Sequence, residues 1–292
     1  MKAKLMFVHA LSPLHAGIGQ GAGVIDLPIA REKATGLPYL PGSSVKGVLR
    51  DQSDDQDQEM CKKIFGPDTA NADDYAGSAQ FTDQRLLLLP VRSVKGTFAW
   101  VTSPYLLHRL GRDAQDVTLT KPLPQTVPTP PASTHDATYC LVMSGADCAL
   151  KIENKVILEE LDLKVSNQPG VDEWATWLAE HIFPTDETWQ DYLKARLCIV
   201  HDDTLSFLLD TAIEVMARIV LKDDTKTVSN LWYEEALPAE TILSGLVVAT
   251  PTKKFKLAPA DIFTTINGLL NQTLQFGGNA TVGRGLCQVR LV

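Results

Sequence analysis

The chain has no run of about 18 apolar residues, the length a membrane-spanning helix needs, and its mean hydropathy is -0.02. Its N-terminus, Met1 to Leu5, is basic but lacks the apolar stretch and small-residue cleavage site of a signal peptide. Cysteine is sparse: Cys61, Cys140, Cys148, Cys198 and Cys287 are odd in number, scattered, and contain no C-x-x-C. That excludes a disulfide framework and a structural zinc site, and it predicts a reducing cytoplasmic setting with no membrane. No Gly-x-Ser-x-Gly elbow is present, and no glycine loop continues into Gly-Lys-Ser/Thr, so hydrolase-triad and Walker chemistry have no support. There is no internal repeat.

Against these absences stand 292 residues that are 45% hydrophobic and 21% charged, enough for a substantial core. The net charge is -8, which counts against non-specific nucleic-acid binding. The charge is segregated, however. Residues 1–50 carry Lys2, Lys4, Arg31, Lys33, Lys46 and Arg50 against Asp26 and Glu32, or +4. Residues 251–292 carry Lys253, Lys254, Lys256, Arg284 and Arg290 against Asp261, again +4, which leaves -16 for the middle.

The pattern predicts strands at 4–11, with Leu5, Phe7, His9 and Leu11 on one side, and at 86–89, 98–101, 139–143, 156–165, 214–221, 241–249 and 286–292. Pro38 and Pro41 bracket a further extended segment. Helices are expected from Ser43 or Ser44 to about Arg50, over 172–182, around Trp189 to Leu193, and over 261–271. The class is α+β, an antiparallel sheet with helices on one face, in a single domain spanning 1–292. Residues 51–80 read as an acidic surface insertion. Roughly 112–138 is a proline-rich exposed connection, with five prolines between Lys121 and Pro131.

Three stretches can carry chemistry. The C-terminal loop places Gly277, Gly278, Gly283 and Gly285 around Thr281 and Arg284. Glycines expose backbone N–H groups to an anion, and an arginine adds a planar cation; the alternative is a flexible hairpin connection. Pro41 to Arg50 opens a helix with Ser43 and Ser44 and sets Lys46 in its first turn, where it opposes the helix dipole and suits a bound anion. The alternative is an ordinary capped helix with solvated cations. Finally, His15 lies at a strand end before a glycine-rich loop, Gly17 to Gly23, and Asp26 follows it. A carboxylate in a basic neighbourhood can serve as a base or metal ligand, and a strand-end histidine as an acid or base. Asp26 could instead be a turn residue paired with Arg31 or Lys33, and His15 a structural histidine. Leu231, Trp232 and Tyr233, followed by Glu234 and Glu235, form an aromatic and acidic stretch suited to stacking or to a half-buried hairpin. The acidic pairs Asp73-Asp74, Glu159-Glu160, Asp202-Asp203 and Asp223-Asp224 read as solvated faces.

Together these segments resemble the RAMP superfamily of CRISPR proteins, and within it the repeated backbone subunit of the type III-B (Cmr) RNA-targeting complex. The resemblance rests on Leu11 to Gly19, Ile25-Asp26-Leu27-Pro28-Ile29-Ala30-Arg31-Glu32, Leu37 to Gly47, Phe81 to Ser93, Trp232 to Pro238 and Gly277 to Gly285. It implies a modified ferredoxin-like (RRM-type) palm with an inserted thumb hairpin. It further implies copies stacked along a crRNA guide with other Cmr subunits, and target RNA cleaved at regular intervals beside a splayed nucleotide. The family's catalytic aspartate falls on Asp26 and its histidine on His15, with Tyr233, Glu234 and Glu235 accessory. Guide contacts fall on Ser43, Ser44, Lys46, Arg50, Gly278, Thr281 and Arg284. A divalent metal ion, Mg or Mn, would sit on Asp26. The rivals are a structural, non-catalytic RNA-binding subunit, a guide-processing ribonuclease, and a small-molecule phosphate enzyme.

Overall fold

The structure is a computed structural model describing residues 1–19, 25–67, 71, 74–145, 147–250, 252 and 254–292. The glycine-rich stretch after Gly19, part of the acidic segment and Lys253 lie outside the described residues. In chain order the elements are β1 (Lys2–Ala10), β2 (Tyr39–Leu40), α1 (Gly42–Gln56), α2 (Gln58–Phe65), β3 (Ala79–Phe81), β4 (Gln84–Arg92) and β5 (Phe98–Thr102). Next come α3 (Pro104–Asp113), β6 (Thr138–Val142), β7 (Lys155–Leu158), β8 (Leu161–Val165), α4 (Val171–Ile182), α5 (Glu187–Arg196), β9 (Leu197–Val200) and α6 (Asp202–Ala212). The chain closes with β10 (Glu214–Leu221), β11 (Val228–Ala236), β12 (Ile242–Ala249), α7 (Pro259–Leu269), β13 (Leu274–Gln275) and β14 (Leu286–Leu291).

Four strands form the palm. β14, β1, β12 and β4 lie in that order, every neighbouring pair antiparallel. α1 and α2 cross from β1 to β4, and α7 crosses from β12 to β14. Numbered by chain position among themselves, these strands run 4-1-3-2 with two helical crossovers, the ferredoxin-like arrangement. Where that fold has a short hairpin, this chain inserts everything from β5 to β11. β5, β9, β6, β8 and β7 extend the sheet beyond β4, with parallel pairing at β5–β9 and β6–β8. β10 and β11 leave the sheet as a separate antiparallel ribbon, the thumb.

Helices cover both faces of the sheet, not one. Met6 and Val8 of β1 pack with α1, α2, α6 and α7 through residues such as Leu49, Ile64, Leu208 and Ile266. Leu5 and Phe7 pack with Leu107 and Leu110 of α3, Trp174 and Leu178 of α4, and Leu193 of α5. A central strand between two helical layers buries both sets of side chains, so the alternation expected for β1 does not make one side wet.

The acidic segment is less peripheral than its composition suggests. Its first part continues α1 to Gln56. Asp57 then caps α2, its Oδ1 accepting from Glu59 N and Met60 N at 3.0 Å. Cys61, Ile64 and Phe65 of α2 are core residues. The proline-rich connection straps α4: Trp177 Nε1 donates to Lys121 O at 3.1 Å and Trp174 Nε1 to Thr126 O at 2.8 Å. The stretch 156–165 is a hairpin of two strands, turning at Glu159 and Glu160. Asp202 and Asp203 open α6, where negative charge suits the helix dipole. All five cysteines are free and buried. No helix among the described residues is long and apolar enough to cross a membrane.

Candidate functional site at the root of the thumb

β11 organises the site. Leu27 N donates to Tyr233 O at 3.1 Å and Glu235 N to Leu27 O at 3.0 Å, so the Asp26 segment lies alongside β11 as a short parallel bridge. Asp26 Oδ2 accepts from Tyr233 N at 2.8 Å. The residue is exposed, and among the described residues its second oxygen has no hydrogen-bond partner. The expected pairing with Arg31 or Lys33 does not form. Arg31 donates to Glu235 Oε1 at 3.3 Å and to Gly36 O at 3.2 Å.

His15 reaches the same strand. Its Nδ1 lies 2.6 Å from Glu235 O. A carbonyl only accepts, so Nδ1 carries the proton and Nε2 presents a lone pair. The Asp26 and His15 anchors on β11, Tyr233 and Glu235, are two residues apart, roughly 7 Å along a strand. The imidazole is 7% exposed. Glycines make room for it: a Cβ on Gly17 would stand 2.6 Å from Nε2, and one on Gly278 would stand 3.1 Å from Cδ2.

The three carboxylates beside these groups differ in availability. Glu234 is 4% exposed and accepts from Trp232 Nε1 at 2.8 Å, Asn279 Nδ2 at 3.0 Å and Arg218 Nε at 3.2 Å. Burial alone would raise its pKa, but the hydrogen bonds from Trp232 and Arg218, with the charges of Arg218 and Arg284, hold it below the ordinary value. Glu235 spends one oxygen on Ile29 N at 3.1 Å and the other on Arg31. Of the three, Asp26 alone has a carboxylate oxygen without a partner among the described residues. Tyr233 shows its side chain to solvent, at 39%.

The glycine loop serves the chain's own packing. Gly277, Gly283 and Gly285 have positive φ, and a Cβ on Gly285 would stand 1.9 Å from Phe276 O. Gly278 N donates to His15 O at 3.0 Å and Gly285 N to Pro13 O at 2.9 Å, fixing the loop against the segment 13–15 that follows β1. Close approach is therefore to backbone, and the loop is no loose connection. Gly278 and Thr281 face solvent. Arg284 is 4% exposed beneath the ribbon, with NH2 at 3.2 Å from Met216 Sδ. Burial pushes Glu214 beside it above the ordinary carboxyl value, partly offset by the Arg284 charge.

Ser43, Ser44, Lys46 and Arg50 form a second group, on α1. The cap is Pro41, with no serine side-chain bond. Asp83 Oδ1 instead accepts from Gly42 N at 2.9 Å. Among the described residues neither serine hydroxyl has a hydrogen-bond partner. Arg50 donates to Pro67 O at 2.8 Å and is half-buried, as is Lys46. Among the described residues neither His15 nor Asp26 hydrogen-bonds to this group. Sequence reasoning missed Arg218, Asn279 and Asp83; the cross-strand neighbourhood of Arg218 follows only from the ribbon register.

A ferredoxin-like palm with a projecting two-stranded thumb, its root carrying an imidazole and an open carboxylate, defines a palm-and-thumb protein. Residues 7–288 match the RAMP superfamily, and the chain belongs to it. The CRISPR system Cmr endoribonuclease Cmr4 of Pyrococcus furiosus is 36% identical over 299 residues, covering 100% of this chain and 96% of that protein. The crystal structure of oligomeric Cmr4 from Pyrococcus furiosus matches at a TM-score of 0.77 and 31% identity, over 100% of this chain and 98% of that one. A chain of the type III-B Cmr-beta complex in its apo state shares the fold, with a TM-score of 0.73 at 19% identity over 100% of this chain and 97% of that one.

Proposed function

We propose that this chain is the guide-RNA-binding backbone subunit of a type III-B CRISPR effector complex in the cytoplasm. Copies stack along the crRNA with other Cmr subunits, and each cleaves the complementary target RNA. The observation that carries the reading is the seating of an open Asp26 carboxylate and a tautomer-fixed His15 side by side on β11. Similarity to the Cmr endoribonuclease over the full chain supports it.

RNA can be cut by its own 2′-OH once that hydroxyl is deprotonated, aligned with the scissile phosphate, and the developing charge is stabilised. The thumb, pressed between guide and target, turns a nucleotide out and supplies the alignment. Asp26 accepts the hydroxyl proton at its open oxygen. His15, held through Nδ1, uses Nε2 to orient the phosphate or, when protonated, to donate to the leaving oxygen. Tyr233 offers a face to the displaced base. Glu234 and Glu235 hold the ribbon in place and take no proton. Ser43, Ser44, Lys46, Arg50, Gly278 and Thr281 contact guide phosphates without reading sequence. Arg284 positions the ribbon from below.

Among the described residues no group of three or more His, Cys, Asp or Glu is placed to hold a metal ion. A single open carboxylate still fits Mg or Mn, since such ions bind through one or two carboxylates with phosphate oxygens and water completing the shell. Held by Asp26 in place of that proton-accepting role, the ion would supply charge stabilisation at the phosphate.

The second reading is a structural subunit, favoured by the Asp26–Tyr233 hydrogen bond, which a turn residue would also make. Complexes reconstituted with Asp26→Asn separate the two. Lost target cleavage with intact guide binding supports catalysis; unchanged cleavage makes the residue structural.

A further inference from the structure

β14 becomes a bare sheet edge over its last residues. Leu5 and Val292 exchange both backbone hydrogen bonds, Leu5 N to Val292 O at 3.1 Å and Val292 N to Leu5 O at 2.8 Å. Such pairs alternate along an antiparallel ladder. Arg290 opposite Phe7, and Gln288 opposite His9, therefore also turn their backbone groups toward β1. Cys287, Val289 and Leu291 turn theirs the other way. β13 meets Cys287 through Leu274 and extends no further. Among the described residues no strand pairs with Val289 or Leu291 on that side.

A cleft of about 540 Å³ runs along this edge, walled by His181, Pro184, Gln190, Asn267 and Leu270 and floored by Val289 to Val292. Two nitrogens in its walls are buried without a hydrogen-bond partner, His181 Nε2 and Arg290 Nε. His181 Nδ1 donates to Trp177 O at 2.7 Å, and burial holds the imidazole below its ordinary pKa, so Nε2 is a bare acceptor. Arg290 Nε is a bare donor. Lys121 stands at the rim, 2.8 Å from Glu180. An adjoining cleft shares Asn267 and Leu291 and brings Lys2 and Lys4.

We propose that the free edge of β14 is a docking strand for an extended, acidic peptide segment of a partner protein, added to the sheet by β-augmentation. Backbone donors and acceptors repeating every second residue are what an extended chain recognises. Lys2, Lys4, Lys121 and Arg290 against Glu180 set the sign of the partner's charge. The buried His181 and Arg290 nitrogens gain partners from its side chains. Val292 lies opposite Leu5, and β1 runs on from there for five residues, roughly 17 Å by strand rise, to Ala10 before the segment that carries His15. The inference does not depend on the RNA chemistry.

The test is amide hydrogen exchange on the full chain, with an acetylated peptide of alternating valine and glutamate as the probe. The peptide should slow exchange at Val289 and Leu291 at least tenfold, and Arg290→Glu should weaken its binding about tenfold. N-methylating every second amide of the peptide should abolish the protection, a control independent of how any variant folds. No protection at saturating peptide overturns the proposal, as does equal binding of a valine–lysine peptide. Protection that rises with protein concentration in the absence of peptide, alongside a dimer in sedimentation, assigns the edge to a second copy and also overturns it.

Discussion

Gly17→Ala tests whether the seat of His15 matters to chemistry. The added methyl would stand 2.6 Å from Nε2 and 3.3 Å from Cδ2 and Cε1, while ordinary contact begins near 3.4 Å. The ring is held on its other side by Glu235 O at 2.6 Å, so it cannot yield and keep that bond in place. Nε2 must move by on the order of 1 Å, and misplacements of that size cost about 10²-fold in rate, or roughly 2.7 kcal/mol of barrier. Gly17 is exposed and does not need a left-handed backbone, so stability should change by less than about 1 kcal/mol. Single-turnover cleavage of target RNA by the reconstituted complex reads the rate, and filter binding reads the guide. The expected result is a cleavage loss of about a hundredfold with guide affinity unchanged. In a His15→Ala background the same substitution should add nothing, because the group it displaces is gone. A Gly17→Ala rate within threefold of the parent would refute the reasoning.

Gly111 lies inside α3 with nothing within 4 Å of a Cβ, so Gly111→Ala should stabilise the fold by about 0.5–1 kcal/mol in a denaturant melt. Glu234→Gln removes the anion facing Arg218 and Arg284 and should cost roughly 3 kcal/mol. A carboxyl with a depressed folded pKa contributes stability that is present above its unfolded value, 4.5, and is lost as pH falls through the folded one. The gap between parent and Glu234→Gln in urea melts should therefore narrow from about pH 5 downward. Lys46→Glu should weaken guide binding and reduce the slope of log K against log salt by about one; an unchanged slope places Lys46 away from phosphate.

The palm was legible because its strands alternate or run apolar between turn residues, as at Leu86 to Leu89 and Ile242 to Ala249. The site was legible in its members but not in their roles. Glu234 and Glu235 are adjacent in sequence, and only the pairing of β11 with β10 and with Leu27 turns one into the interior and ties the other to Arg31. Arg284 reads as an anion-binding cation because it sits among glycines; the ribbon that covers it is contributed from some seventy residues away, at Met216. The end of α1 was missed because Asp51 to Gln56 lack an apolar stripe, while Asp57 ends one helix and caps the next. α3 and α6 were missed as short helices; both pack on β4 of the palm, and α3 also on β12. β1 and β14 bring strands from the two basic ends side by side.

The most direct measurement pairs the single-turnover cleavage rate of an Asp26→Asn complex with the unfolding midpoint of the variant chain. An asparagine oxygen can still accept from Tyr233 N, so the midpoint should hold, with a stability change under about 1 kcal/mol. The rate should fall by about 10²–10⁴-fold, the range for a lost general base, with guide binding intact. Cleavage at the parent rate, or a rate loss that only follows lost stability or lost guide, would contradict Asp26 as the reacting carboxylate.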